Sequence, residues 1–471
     1  MSEYSIKLTW NSKTGYIPAS DEGFDHHIIE MVHPQAAWDS DSIFDLLLPR
    51  LLPPKDVKPS GRVFQGDNLL LMQFLLHSGY RAAFDLIYID PPYLSSNAYH
   101  SRVKIRSAED KPWESISRPV FVDPGFGDIE QYLDHLYPRL CLMKELLSAQ
   151  GSLLVHLDWH VSHYVKILLD EIFSPQQFVN EIVWCYGGGS GTKRHFHRKH
   201  DLILWYANSD EYIFNPQYRP YSSATLERGL TKVKGNKYQL HSQGALMQDW
   251  WTDINKILSP TAAENLKFPT QKPEALLRRI ILSASNPGSL VADFYAGSGT
   301  TGAISQQLER CWISCDKSPI AIQTTINRLI KQGQGSFTVE QVGPISAQAP
   351  AGSLRIKIPL IQPYDHEYAL ILLEIEDYKP DAKYLQALQE KVDFSSLIDF
   401  WEVDLNYDGK IFHSQVQVLR DKKHYDSSLR NSIKLKVPLQ DSYRIAIKAY
   451  DIFGDSQIQS LVVGVGALGN Q

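Results

Sequence analysis

The chain has 471 residues, 43% of them hydrophobic and 21% charged, with a net charge of −6. That length predicts two or three domains of ordinary soluble composition, and no apolar run is long enough to span a bilayer. The polar start Met1-Ser2-Glu3-Tyr4 argues against a signal peptide, and the four cysteines lack zinc-like or disulfide spacing. A net negative charge does not favour nucleic acid, so any DNA-binding chain of this balance must concentrate its positive charge locally.

Residues 1–60 read as an irregular extension rich in proline, with a short helix through Ile43, Phe44, Leu46, Leu47 and Leu48. Val63 to Asn68 then forms a strand, a Gly66 turn and an Asx pair before the apolar helix Leu69–Leu76. Asp67 and Asn68 are placed either to cap that helix or to contact a nucleotide cofactor. The apolar run Leu86-Ile87-Tyr88-Ile89 reads as a parallel strand buried on both faces. It stops at Asp90-Pro91-Pro92-Tyr93, where two prolines enforce extended geometry and a stiff strand exit. A carboxylate, exposed carbonyls and an aromatic ring on such a turn suit the gripping of an exocyclic amine on a flat base.

The polar stretch from Leu94 to about Asp128 reads as a loop and flap. A helix follows over Ile129–Leu147, which Pro138 should kink or split. The strand Leu153–Leu157 and the helix opened by Asp158-Trp159-His160 continue a βαβ rhythm that predicts a parallel sheet. His156 and His160 read as core and cap residues. A further strand around Val183–Tyr186 runs into glycines and then Lys193-Arg194-His195-Phe196-His197-Arg198-Lys199-His200. From Lys193 to Lys237 nine Lys/Arg face four acids, an excess of five positive charges interleaved with tyrosines. This meets the local charge demand and suits contact with phosphates and bases. The three histidines lack the pattern of a closed zinc site.

Thr270-Gln271-Lys272-Pro273-Glu274 leads into a helix with Leu277, Ile280, Ile281 and Ala284 on its inner face. Leu290–Asp293 then enters Phe294-Tyr295-Ala296-Gly297-Ser298-Gly299-Thr300-Thr301-Gly302, a glycine-rich turn before a helix. The next strand ends at Asp316, placed to take ribose hydroxyls. The same pattern satisfies a dinucleotide fingerprint, so nicotinamide chemistry stands as an alternative on this turn alone. Residues 336–352 read as a linker, and period-two patterning over 353–471 predicts about seven short strands, with Asp408-Gly409 as a hairpin turn.

In this order the segments resemble a β-class DNA amino-methyltransferase of the type III modification-subunit-like branch. Asp90–Tyr93 is similar to its catalytic motif, Asp293–Thr301 to its cofactor motif, Thr270–Glu274 and Gly66–Asn68 to two further motifs. Phe294 and Tyr295 depart from the commoner Pro and Phe. The resemblance covers roughly residues 60–330. It implies an α/β fold with a Rossmann-like sheet and helices on both faces over 61–335, with a target-recognition insert at about 186–262. An immunoglobulin-like sandwich over 353–471 lies outside it. It further implies S-adenosylmethionine as cofactor, held by Asp67, Asn68, Lys272, Pro273, Asp293, Phe294, Tyr295, Ala296, Gly297, Ser298, Gly299, Thr300, Thr301 and Asp316. Asp90, Pro91, Pro92 and Tyr93 would be catalytic. Lys193, Arg194, Arg198 and Lys199 would meet double-stranded DNA. The implied reaction is methylation of adenine N6, with cytosine N4, an RNA substrate or a silent DNA-binding subunit as alternatives. A restriction or other defence-system subunit, a homodimer and a prokaryotic cytosolic location accord with the resemblance.

Overall fold

A computed structural model of the protein describes residues 7–13, 23–34, 58–94, 98–106, 114–122, 128–188, 193–229, 240–344, 352–385, 388, 392–420 and 429–465. The short helix expected near Ile43 lies outside them. In chain order the first part comprises β1 (His26–Val32), β2 (Gly61–Gln65), α1 (Asn68–His77), β3 (Phe84–Ile89), β4 (Ala98–Ile105), β5 (Glu114–Val122), α2 (Ile129–Leu146), β6 (Leu147–Leu157) and α3 (Ser162–Phe173). It continues with β7 (Phe178–Cys185), β8 (His200–Ala207), β9 (Tyr218–Arg219), α4 (Ser223–Gly229), β10 (Ala245–Leu246) and β11 (Trp250–Trp251). α5 (Glu274–Ala284), β12 (Leu290–Asp293), α6 (Thr300–Gln307), β13 (Cys311–Asp316), α7 (Pro319–Gln332) and β14 (Phe337–Val342) complete it.

The central sheet has 11 strands in the order β11-β7-β8-β6-β3-β12-β13-β2-β14-β1-β19, where β19 is Phe412–Ser414. β6, β3, β12, β13, β2 and β14 run parallel. In β3, Leu86 and Tyr88 pack under α5 and α6 while Ile87 and Ile89 pack under α1 and α2. Both faces are covered, which is why the strand reads as an unbroken apolar run. The purely parallel expectation needs correction: β8 is antiparallel to both β6 and β7. Residues 200–207, expected inside a recognition insert, are therefore a core strand, with Ile203, Leu204 and Tyr206 buried.

Four further expectations change. The supposed irregular N-terminal extension contributes β1, and the supposed linker contributes β14, paired with each other antiparallel inside the sheet. The polar stretch after Tyr93 folds into the β4–β5 hairpin rather than a bare loop. α2 is one helix of 18 residues despite Pro138. No described helix is long and apolar enough to cross a membrane.

The C-terminal part is all β. It holds β15 (Ser353–Ile356), β16 (Leu360–Pro363), β17 (Tyr368–Lys379), β18 (Ile398–Asp404), β20 (Val416–Leu419), β21 (Ser432–Pro438), β22 (Ser442–Asp451) and β23 (Ser456–Gly464). Two four-stranded sheets, β15-β17-β16 with β21 and β20-β18-β22-β23, enclose one core. In β17 the alternate residues Ala369, Ile371, Leu373 and Ile375 are buried, the period-two signature of a one-sided sheet. This part is not a detached appendage. β19 leaves it to pair parallel with β1, Ile105 of the β4–β5 hairpin packs into its core, and Gln323 of α7 donates to the Asp451 carbonyl at 2.7 Å.

Candidate active site

β3 and β12 are parallel neighbours, with Val291 opposite Leu86 and Ala292 opposite Ile87. From β3 the chain crosses through α2 to β6 on one side; from β12 it crosses through α6 to β13 on the other. Divergent crossovers open a crevice at the carboxyl ends of the two strands, the usual ligand position of open α/β sheets. A cavity of about 580 Å³ lies there. Its walls include Asp90, Pro91, Pro92 and Tyr93 from the β3 exit, Asp67 and Asn68 from the head of α1, and Lys272. Asp293, Phe294, Tyr295, Ala296, Gly297, Ser298, Thr300 and Thr301 from the β12 turn and Asp316 from the end of β13 complete the predicted set. Two further predicted residues, Gly299 and Pro273, are not on the cavity wall; they are the residues preceding α6 and α5. Segments more than two hundred residues apart in sequence thus converge on one crevice.

The β12 turn is shaped by its glycines. Gly297 and Gly299 have φ of 52° and 71°, the left-handed region, and a side chain at Gly299 would stand 2.5 Å from the Thr325 hydroxyl. The Gly297 N–H donates to Asp316 Oδ2 at 2.8 Å and the Ser318 N–H to Asp316 Oδ1 at 2.8 Å. Burial pushes the Asp316 carboxyl up to about 6 despite those bonds. Burial likewise pushes Asp293 up to about 7, against hydrogen bonds from the Thr301 hydroxyl and the Tyr295 N–H. Thr270, also on the wall, holds φ of 60°, a costly conformation for a β-branched residue.

Asp90 is held from two sides. Lys272 Nζ pairs with its Oδ2 and the Tyr93 hydroxyl donates to its Oδ1. Lys272 Nζ also lies 3.2 Å from the Tyr93 oxygen. Burial and the Asp90 charge hold the Tyr93 phenol well above its usual range, so it stays a donor. Lys272, expected beside the cofactor, therefore has its ammonium on the Asp90–Tyr93 turn.

Sequence reasoning missed a second layer. Arg139 of α2 donates through Nε to Asn68 Oδ1 at 2.6 Å and pairs with Asp67 at 3.1 Å. Asn68 Nδ2 in turn donates to the Phe294 carbonyl at 2.8 Å, tying α1 to the glycine-rich turn. Asp67 both caps α1, accepting from the Leu69 N–H at 2.8 Å, and lines the cavity. Behind Tyr93, buried His156 meets the Tyr88 hydroxyl at 2.9 Å and Asp201 at 3.4 Å. Burial disfavours the Asp201 carboxylate, but His156, Lys272 and Tyr186 outweigh it and hold Asp201 low. The hairpin supplies Tyr99 and Val120 as further walls. The one available signal was Pro138-Arg139, a charge on the inner face of an amphipathic helix.

The expected DNA residues lie apart from the cavity, on the 186–199 connection between β7 and β8. Lys193, Arg194 and Arg198 are exposed, while Lys199 is half-buried and donates to the Gly188 carbonyl. Arg198 stacks over Trp159, its guanidinium 3.7 Å from the ring centroid.

Residues 84–327, over half of the chain, match the N6/N4 methyltransferase family model described as DNA methylase. The chain belongs to that family. Among relatives, the type II methyltransferase M.EcaI of Enterobacter cloacae is 26% identical over 323 residues, spanning 56% of this chain and 68% of its own. The DNA adenine methyltransferase YhdJ of Escherichia coli K12 is 27% identical over 248 residues, spanning 52% of this chain and 76% of its own. The solved M1.HpyAVI–SAM complex is 21% identical, covering 57% of this chain and 98% of that one with a TM-score of 0.37. Membership of the DNA methylase family makes the protein an S-adenosylmethionine-dependent DNA methyltransferase. Its cavity fits that cofactor: the volume suits a nucleoside-sized ligand, and the carboxylates of Asp67, Asp293 and Asp316 match a cationic, hydroxyl-bearing molecule.

Proposed function

We propose that this enzyme methylates the N6 amine of an adenine flipped out of duplex DNA. The supporting observation is the Asp90 carboxylate, gripped by Lys272 and Tyr93 at the mouth of the cavity shared with the glycine-rich turn. An Asp at this position, where Ser would favour cytosine N4, and a relative named as an adenine methyltransferase favour adenine.

When bound, S-adenosylmethionine supplies an electrophilic methyl group on a cationic sulfonium. The chain has to present a nucleophile to it, and the adenine amine is a poor one because its lone pair is delocalised into the ring. Asp90 and the Pro91 carbonyl accept its two N–H bonds, which draws the lone pair out of conjugation and aims it along the cavity. The amine must displace the Tyr93 hydroxyl from Asp90 Oδ1, which frees the Tyr93 ring to lie against the base. Lys272 remains on Oδ2 and keeps the carboxylate oriented. Rate is gained from positioning and preorganised electrostatics rather than from a covalent enzyme intermediate. The basic 186–199 connection neutralises backbone phosphates. For the C-terminal sheets, an immunoglobulin-like architecture is supported by two antiparallel four-stranded sheets around one core.

Asp90→Ala is the direct test. Methyl transfer to DNA adenine, followed with tritiated cofactor and base analysis, should fall by roughly a hundredfold or more while cofactor affinity is retained. Adenine methylation at the wild-type rate would reject the assignment.

A further inference from the structure

We propose that Phe196 is the wedge that enters the base stack beside the target nucleotide, an inference that rests on the DNA reading above. Its ring is 98% exposed, more than any other large apolar side chain among the described residues. Single exposed hydrophobic residues are ordinary, so exposure alone says little. Its setting says more.

β8 is antiparallel to β6 and β7 is antiparallel to β8, so β7 runs with β3 and β6. The connection from Cys185 to His200 consequently leaves the sheet at the same end as Asp90. Three strand spacings separate the ends of β3 and β7, about 14 Å. The backbone on the far side of Phe196 is tied down: Arg198 stacks on Trp159, Lys199 donates to the Gly188 carbonyl, and Asp201 accepts from the Tyr186 hydroxyl at 2.9 Å. On the near side, a His195 ring nitrogen lies 2.8 Å from the Phe196 carbonyl. The phenyl ring projects into solvent between Arg194 and Arg198, the one large apolar side chain in an exposed run of basic and histidine residues from Lys193 to Arg198.

A base can reach Asp90 only by leaving the duplex, and unstacking is the costly part of that movement. A phenyl group has no hydrogen-bonding atom with which to read sequence, but it can slide between base pairs and hold an opened step, as apolar wedges do. Flanking cations supply the phosphate contacts that drive it in. Phe196 therefore acts as a positioning residue for the target base, outside the cavity that performs the chemistry.

The test uses the full-length enzyme with S-adenosylhomocysteine and closed circular plasmid relaxed by a topoisomerase. Wild-type protein should shift the linking-number distribution through local unwinding. Phe196→Ala should abolish that shift and lower methyl transfer to duplex DNA roughly tenfold or more. Cofactor affinity and melting temperature should stay at wild-type values, and Phe196→Leu should recover part of both losses. If Phe196→Ala keeps the wild-type shift, the wedge is overturned, whatever its transfer rate. If the wild-type enzyme transfers no methyl group to DNA, the DNA reading itself fails and the wedge falls with it.

Discussion

Burial pushes the Asp293 and Asp316 carboxyls up to about 7 and about 6, in the cavity proposed to take the cationic cofactor. Their folded-state values lie above the ordinary carboxylate range, so the protonated forms favour the fold. Without ligand, their contribution to stability is largest at low pH and is lost as pH rises through about 6 and 7. A bound sulfonium reverses this preference by favouring the charged carboxylates. Cofactor affinity should therefore rise between pH 5 and pH 8, with net release of on the order of one proton. Calorimetry in two buffers of different ionisation enthalpy measures that release, and proton uptake instead would contradict the sign. Arg139 permits a second test. Arg139→Leu leaves Asn68 Oδ1 without its buried donor, a loss of about 2 kcal/mol. Cofactor binding should weaken by about thirtyfold, with secondary structure unchanged by circular dichroism.

Among the elements, the β12–α6 turn carries the sharpest constraint. Gly299 combines a left-handed φ of 71° with Thr325 packed where a methyl group would go. Gly299→Ala should cost about 2 kcal/mol or more in stability and distort the turn that faces the cofactor. Thermal denaturation and cofactor titration should report both losses, whereas Gly23→Ala, with open space at its Cβ position and no left-handed φ, should lose far less. The β4–β5 hairpin shows how an element can be misread. Its residues alternate weakly and carry Lys104 and Arg106, so the segment resembles a solvated loop. Ile105 is buried only because the C-terminal core receives it, a contact made with residues about three hundred positions away.

For the whole molecule, the junction between the catalytic and C-terminal parts is a buried charge cluster. Glu30 of β1 pairs with Lys448 and accepts from the Tyr450 hydroxyl at 2.6 Å. Burial and the Glu30 charge hold neighbouring Glu402 well above its usual range, in its neutral form. Lys448→Met leaves Glu30 buried without its cation and should cost about 3–5 kcal/mol. Adding Glu30→Gln should recover much of the lost melting temperature. Because β19 and β1 share the central sheet, both parts should melt in one transition; two separate calorimetric peaks would contradict that coupling.

Much of the site was legible in the chain itself. Asp90–Tyr93, the glycine-rich turn and Asp316 announce themselves because local backbone rules dictate those residues: prolines for a stiff exit, glycines for left-handed φ, an acid at a strand end. Their order, with the catalytic segment ahead of the glycine-rich turn, carried the resemblance to the methylase family. The alternating strands of the C-terminal part were equally plain, since period two records one buried face. Tertiary structure alone decided what depends on distant partners. β1 and β14 are strands because neighbouring strands accept their hydrogen bonds, and their own patterns are too short or too polar to say so; β8 carries the apolar run Leu202–Ala207, but only its partners β6 and β7 decide its antiparallel direction. Lys272 meets Asp90 and Arg139 meets Asn68 because separate strands and helices end at one crevice, and a charge in sequence carries no mark of the partner that will bury it.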